Sequence, residues 1–468
     1  MKRLIIAVVM AAFILGSAGT AKAVHDLHMH AVDFRVHANY IHNEGFNDDL
    51  KIDELNFYQR FRSTFHWVAN ENVRAVLQMS FGETQQRWGT TGYRIGGVNT
   101  DVVFRQAYLD FLVPQTDVLV RAGWQYWTLP STLSSHIWDV RAPAVIVSSP
   151  ITPGVDLTLG YAMGGDEFRQ VIDFDKGEFT RSRDEFHHFF GILPIAMDGF
   201  EINPFLWYAH SGKYEQRLGT EPTPGGLVGS NTPPWDGARS TDVFFAGVNF
   251  SMDMFDPIVI HADFNYGTAG KLHDDIKGTS GWIANVALDY QMDMMTPRVF
   301  FLWESGESSS SFEDDRTGRV MPNLGTGDLG FTSFGFAGSQ FEGTPAARAF
   351  GGSHVGGASG KAALGLSLMD INLVESMTHN FNLVYYQGTN HKDMRDFLDS
   401  GVMLTTRDHA WEVNFDTQYD VYENLAAILE LGYIAPSLSD GADGTIGEDR
   451  SDFDDNAFKA ALGFRLTF

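Results

Sequence analysis

The chain has 468 residues, 59 acidic against 33 basic side chains and a formal net charge of −26. Such a surface repels nucleic acid, and the lack of any cysteine excludes disulfides, thiolate metal sites and a thiol nucleophile. With 44% of residues hydrophobic and 13% aromatic, the chain has too much apolar surface to be disordered.

The first stretch, MKRLIIAVVMAAFILGSAGTAKA, sets Lys2 and Arg3 before an apolar run from Leu4 to Leu15 and ends on the small-x-small site Ala21-Lys22-Ala23. This predicts a secretory signal peptide over 1–23, with cleavage near Ala23 and one domain over 24–468. No later segment offers about 18 consecutive apolar residues, so no transmembrane helix is expected. The run HDLHMH groups His25, His28 and His30. Imidazole suits Cu and Zn, but a frayed end is a poor metal site and none is expected there.

From residue 31 onward one pattern repeats. Val32, Phe34, Val36, Ala38 and Tyr40 alternate with Asp33, Arg35, His37 and Asn39. Leu55, Phe57, Phe61, Phe65 and Trp67 alternate with Tyr58, Arg60, Arg62, Thr64 and His66, and Val73, Ala75, Leu77, Met79 and Phe81 follow after a tight link. Period-2 alternation predicts strands with one apolar and one polar face. The strands continue as FRQAYLDFLV, VLVRAGWQYW, a weaker PAVIVSSPI, VDLTLGYA, EFHHFFGIL, FEINPFLWYA and TDVFFAGVNFSM. PIVIHADFNYG, GWIANVALDYQM, PRVFFLWE, KAALGLSLMDINLV, NFNLVYYQG, AWEVNFDTQYDV and LAAILELGYIA come next, and NAFKAALGFRLTF is the last. The count is eighteen, or sixteen if 143–151 belongs to the loop before it.

Turns alternate with long polar loops, near 128–142, 164–184, 211–240, 268–279, 305–360, 388–407 and 436–455. Tight connections at one end and long ones at the other predict an all-β transmembrane antiparallel up-and-down β-barrel, with short periplasmic turns and long extracellular loops. Trp67, Trp207, Trp303, Tyr40, Tyr208, Tyr266, Tyr290 and Tyr433 fall near strand ends, where interfacial girdles would sit. Open sheet edges are too costly in lipid, so the strand ending at Phe468 is expected to close on the strand at 31–41.

The polar faces then point into the lumen, and their charges segregate. Arg35, Arg60, Arg62, Arg74, Arg121, Lys459 and Arg465 come from strands that are neighbours once the barrel closes, forming a basic wall. Glu201, Asp263, Asp289, Glu412, Asp416 and Glu430 line much of the rest, with Asn and Gln between them. Opposed walls of opposite sign create a transverse field that orients dipolar solutes and penalises apolar ones. The loop TLPSTLSSHIWDVRAPAV carries Ile137, Trp138, Val140 and Val145, an apolar content suited to folding inward against the wall. Asp139 and Arg141 would then reach into the pore, making the segment near 128–142 the constriction. The Gly/Ser-rich stretch 305–360 has spaced phenylalanines, among them Phe331, Phe341 and Phe350, and is expected to cap the pore mouth or contact a neighbouring subunit.

Other signals are weaker. DFDKGE (173–178) and the run 440–455 are acidic loops that would hold Ca²⁺ only without EF-hand spacing; bridging to lipopolysaccharide phosphates is the natural use. No other cofactor is implied. Lys271 and Lys361 are followed by Leu272 and Ala362, so no Walker A loop is present, and there is no G-x-S-x-G. No catalytic residue is assigned and no enzyme is expected, although a Ser/His pair across strands is invisible to spacing.

The segments FYQRFRSTFHWVANENVRAVLQMSFGE, FRQAYLDFLVPQTDVLVRAGWQ and the terminal GFRLTF resemble the Gram-negative trimeric porins, most closely the outer membrane homotrimeric porins of sulfate-reducing bacteria. The resemblance spans the mature chain. It implies a homotrimer in the outer membrane, among lipid and lipopolysaccharide, passing small hydrophilic solutes and ions by passive diffusion. It also implies that the loop after the fifth strand enters the lumen, with Asp139 as the eyelet acid facing Arg35, Arg60, Arg62, Arg74 and Arg121. Phe468 would be the aromatic read by the barrel-assembly machinery. Two alternatives are a solute-specific barrel channel with a saturable site and, from another class, an outer-membrane barrel enzyme.

Overall fold

The computed structural model describes residues 26–43, 46, 53–81, 86–88, 102–132, 135–165, 170–173, 178–181, 186–211, 240–270, 278–309, 318–322, 341, 360–393, 404–439 and 455–468. Alternating apolar and polar residues produce eighteen wall strands, as their periodicity requires. The first half of the ring is β1 (Asp26–His42), β2 (Asp53–Asn70), β3 (Val73–Phe81), β4 (Val102–Leu112), β5 (Leu119–Thr128), β6 (Asp139–Thr152), β7 (Val155–Gly165), β8 (Phe186–Ile192, resumed over Ile195–Met197) and β9 (Phe200–Ser211). The second half is β10 (Thr241–Phe255), β11 (Ile258–Ala269), β12 (Thr279–Tyr290), β13 (Thr296–Glu304), β14 (Lys361–Val374), β15 (Met377–Gly388), β16 (His409–Tyr422), β17 (Leu425–Ser437) and β18 (Ala457–Thr467).

Each strand pairs antiparallel with its sequence neighbour, and β18 pairs with β1 to close the ring. The seam register runs from Asp33 opposite Thr467 to His42 opposite Phe458. Phe468 completes it: its carbonyl accepts the Val32 N–H at 2.7 Å, and its N–H reaches the Val32 carbonyl at 3.2 Å. Closure leaves neither β1 nor β18 as an open edge among the described residues, the condition for lying in hydrocarbon. Tight turns at 71–72, 153–154, 198–199, 256–257, 375–376 and 423–424 gather at one end. Gly154 takes a φ of 79° in such a turn, and a Cβ there would meet the Ala196 carbonyl oxygen at 2.4 Å.

The two faces differ sharply. Outward positions carry Leu206 (58% exposed), Leu364, Phe464 and Leu462, an apolar belt around the outside of the ring. Trp67, Trp303, Tyr208, Tyr266, Tyr290 and Tyr433 are exposed on that face, while Tyr40 is half-buried, its hydroxyl donating to Asp53. Trp207 departs from the girdle expectation: it is fully buried inside the barrel. It shares the parity of Asn203, so it must point inward with that residue. Phe190 and Phe300 also point inward and lie flat over Gly160 and Gly365 of the neighbouring strands, where a Cβ would collide with each ring.

The weakly patterned segment 143–151 lies within a full wall strand, β6, which begins earlier than its alternation suggests. Trp127–Val140 and Thr128–Asp139 pairing extends the β5–β6 hairpin, so Asp139 and Arg141 are strand residues and the true loop is 129–138. An arginine at the centre of the belt must lose its hydration. Leu206→Arg is therefore expected to cost about 2–4 kcal/mol of stability, read by denaturant titration of protein folded into lipid vesicles.

Candidate channel and its constriction

The β5–β6 hairpin leaves the wall because its partner ladder ends. Strand β4 pairs with β5 only from Ala107–Trp124 to Leu112–Leu119, so Gln125–Thr128 are bonded only to β6. The cause is a bulge in β4 opposite Gln78 and Met79. The Gln106 side-chain carbonyl caps the freed Tyr126 N–H at 3.4 Å.

The hairpin leans into the barrel, where Trp127 stacks on Phe190 (4.2 Å between centroids) and Trp138 meets Trp207 (4.9 Å) and His188 (4.7 Å). Ile137 and Trp138 are 1% exposed. Burying two such side chains in a wet lumen is a strong anchor, about 1.5–3 kcal/mol for an isoleucine-sized group alone.

Polar contacts carry the loop further round. The Thr132 N–H donates to Asp263 Oδ2 on β11 at 2.6 Å, and Asn249 of β10 also donates to Asp263, at 2.7 Å. Asn285 of β12 lies 3.1 Å from the His136 ring nitrogen Nε2. The described loop residues, 129–132 and 135–138, are thus fastened to the inner face of β8–β12.

Asp139 is tied to its own hairpin, where its carboxylate accepts the Tyr126 hydroxyl. Arg141 lies over the Tyr126 ring at 5.3 Å.

The arginines are only partly bare. Asp33 Oδ2 receives Arg35 at 2.7 Å and Arg60 at 2.8 Å, with Arg465 at 3.6 Å. Asp110 receives Arg74 at 2.9 Å and Arg121 at 2.7 Å, and Arg121 lies over Tyr108. Neither acid stood out in the sequence as part of the wall, though Asp33 shares the parity of Arg35. Arg105 also points inward, 8% exposed, because the β4 bulge shifts the alternation. Arg62 makes no ion pair among the described residues and lies within electrostatic reach of Arg60, Arg105 and Arg141. Four guanidinium groups therefore face one region of the lumen.

Glu201, Asp263, Asp289, Glu412, Asp416 and Glu430 all lie on inward strand positions. Glu201 accepts Asn203 at 2.8 Å. Asp289 takes Arg298 in two bonds of 2.6 and 2.7 Å. Glu412 accepts Tyr386 and Asn414, and Asp416 stands opposite Asn380 and Glu430 in the register. Glu430 meets Lys459 at 3.1 Å, both fully buried. A second buried pair, Lys361 with Glu304 at 3.2 Å, holds the start of β14.

Ser251, His261 and Asp289 form a line, with the hydroxyl 3.2 Å from Nδ1 and Nε2 3.4 Å from the carboxylate. Arg298 already occupies both oxygens of that carboxylate, so His261 receives the weaker share. The line braces the turn end of the lumen.

The chain between β13 and β14 also turns inward where it is described. Glu307 accepts the Arg319 and Val320 N–H groups at 2.8 and 3.2 Å, and Val320 and Met321 are fully buried. Residues 1–25, with the expected signal segment and His25, the acidic loop stretches 174–177 and 440–454, and Phe331 and Phe350 lie outside the described residues.

The chain is similar in fold to known bacterial barrels. It matches OccAB4 of Acinetobacter baumannii at 10% identity and a TM-score of 0.51, covering 96% of this chain and 100% of that one. It matches the outer membrane protein OprD of Pseudomonas aeruginosa at 13% identity and 0.51, covering 96% of both. It matches OpdO of Pseudomonas aeruginosa at 9% identity and 0.51, covering 95% and 97%. No protein-family profile and no curated protein matches the sequence.

Asp263 gathers the donors that hold residues 129–138. Asp263→Ala leaves buried donors unsatisfied, at about 1–3 kcal/mol each. The expected outcome is an intact barrel whose hairpin loop becomes susceptible to chymotrypsin near Trp138, checked by limited proteolysis with gel migration as the fold control.

Proposed function

We propose that the protein is an outer-membrane porin, a water-filled channel through which small hydrophilic solutes and ions diffuse down their gradients. The observation that carries this reading is the contrast between the two faces of one closed wall: apolar outside, and inside many Arg, Asp, Glu, Asn and Gln side chains, such as Arg60, Asp110, Asp263, Asn285 and Glu412, beside the aromatic cluster that anchors the hairpin. Such a lining has no use in a packed core, where unpaired polar groups are costly, and suits a hydrated passage. Selectivity is set where Arg141 comes within electrostatic reach of Arg62, beside Arg60 and Arg105.

The segments around 57–83 and 104–125 support a narrower version of this reading, a homotrimer akin to the outer membrane porins of sulfate-reducing bacteria. On that reading residues 1–23 direct export, Phe468 is the aromatic that the barrel-assembly machinery recognises, and the acidic loops meet lipopolysaccharide with Ca²⁺ as a bridge. A second reading, a solute-specific channel with a saturable site, is favoured by the same group of arginines. Asp139 engages Tyr126, so the expected eyelet acid has a partner on its own hairpin.

Planar-bilayer recording of the detergent-extracted protein tests the channel. Openings in three equal steps are expected for a trimer of pores, and a protein that never conducts would defeat the reading. Under a salt gradient, the Arg60→Ala, Arg62→Ala double variant is expected to shift the reversal potential towards cations. A current that saturates with one anionic solute would select the second reading.

A further inference from the structure

We propose that the outer face of the barrel carries two sites for the phosphate groups of outer-leaflet glycolipid, one centred on His42 and one on His210. The proposal rests on the outer-membrane reading above and concerns the outside of the wall, away from the lumen.

The two places are built alike. At the loop end of β1, Tyr40 and His42 take outward positions, and His42 stands opposite Asp53, the first residue of β2. At the loop end of β9, Tyr208 and His210 take outward positions, and His210 stands opposite Asp242 of β10. His210 Nδ1 lies 2.7 Å from Asp242 Oδ1, and the Tyr208 hydroxyl donates to the same oxygen at 2.7 Å. His42 Nδ1 meets Asp53 Oδ1 in the same way, and the Tyr40 hydroxyl donates to Asp53 Oδ2 at 3.3 Å. The two strand pairs lie far apart around the ring, so one arrangement occurs at two independent places.

The chemistry follows from the pairing. A carboxylate only accepts, so Nδ1 carries a hydrogen and the carboxylate fixes the orientation of the ring. The His42 and His210 side chains are 40% and 43% exposed, and no described residue bonds the Nε2 of either. On protonation Nε2 becomes a second donor, and the adjacent aspartate stabilises the cation. A phosphate oxygen beside Nε2 then accepts a charge-assisted hydrogen bond.

Position selects the ligand. Outward tyrosines mark the level where hydrocarbon gives way to headgroups, and Tyr40 and Tyr208 each precede their histidine by one inward residue. The described Lys and Arg residues of the wall strands take inward positions, apart from Arg141 on the hairpin. Histidine is therefore the base that the outer face offers to an anionic lipid. Lipid A, the phosphorylated glucosamine lipid of the outer leaflet, presents phosphate at this depth.

Other titratable groups stand close by. His187 of β8 is opposite His210, with its Nδ1 2.8 Å from the Tyr161 hydroxyl of β7. Asp455 accepts Asn43, the residue after His42. Acidification charges His187 in the same direction as His210 and so reinforces the effect.

Native mass spectrometry of the full-length protein, stripped of lipid in detergent and titrated with bis-phosphorylated lipid A, tests the assignment. Two lipid A molecules are expected to bind, about tenfold more tightly than the dephosphorylated lipid, the scale of a charge-assisted hydrogen bond. Binding should be tighter at about pH 6 than at about pH 8, across the range where histidine changes charge. His42→Phe and His210→Phe are each expected to lose one lipid and the double variant both, with gel migration as the fold control.

Equal binding of the dephosphorylated lipid would overturn the proposal, as would full retention of lipid A by a folded double variant. Displacement of lipid A by inorganic phosphate would overturn the lipid assignment. If the variants do not fold, the phosphate and pH comparisons on the wild type decide. Single-channel recording of the same preparation keeps the two readings apart. A protein that binds two lipid A molecules without conducting defeats the porin reading and leaves these sites, whereas one that conducts with no preference for phosphorylated lipid does the reverse.

Discussion

A peptide group in hydrocarbon has no water to turn to. Each of its N–H and C=O groups must find a partner within the protein, and a sheet can meet that demand only by joining its first strand to its last. The pairing of β1 with β18, completed by the reciprocal Val32 and Phe468 backbone bonds, is therefore the contact on which the rest depends. Once the ring is closed, side-chain alternation divides the residues into two sets. One set meets an apolar surrounding, and the other is enclosed with whatever water and loops enter the ring.

The enclosed set is more structured than a wetted tube requires. On one side, tryptophans from β5, β9 and the loop 129–138 stack together and make a dry anchor beside Asp263. Elsewhere Glu304–Lys361 and Glu430–Lys459 are ion pairs with almost no solvent contact. Removing one partner of such a pair strands the other charge, so these pairs hold geometry even where they add little net stability. The arginine side follows another logic. Asp33 gathers three guanidinium groups and Asp110 two, which lowers the local repulsion, while Arg62 lies among Arg60, Arg105 and Arg141 with Asp33 as the acid within reach. The field along the lumen is thus set by which arginines have an acid of their own, more than by how many there are.

Much of this is legible in the sequence. Strand positions and facing follow from alternation alone, because a period of two has one solution for each strand. The inward position of Trp207 was legible too, from its even spacing to Asn203, though its place near a strand end pointed to a girdle. Arg105 needed finer reading: Phe104 and Leu109 are both outward yet an odd number of residues apart, the mark of a bulge between them. The start of β6 was obscured by Pro143 and by a loop-like composition. What could not be read were contacts across the lumen, such as Thr132 with Asp263 or Phe341 with His37. They join residues far apart in sequence, and no local propensity encodes them.

The seam also bears on the order in which the fold can be completed. Every other wall pairing joins strands that follow one another in sequence, and each can zip as soon as both are present. The β1–β18 pairing has the greatest sequence separation of all the ladders, and it pays its loop-closure entropy only after the strands between have assembled. Until then β1 and β18 are two long open edges, each a template for another chain. Closure is thus the slow, vulnerable step, and a substitution in β18 should act first on the yield of assembled barrels and only later on the barrel once made.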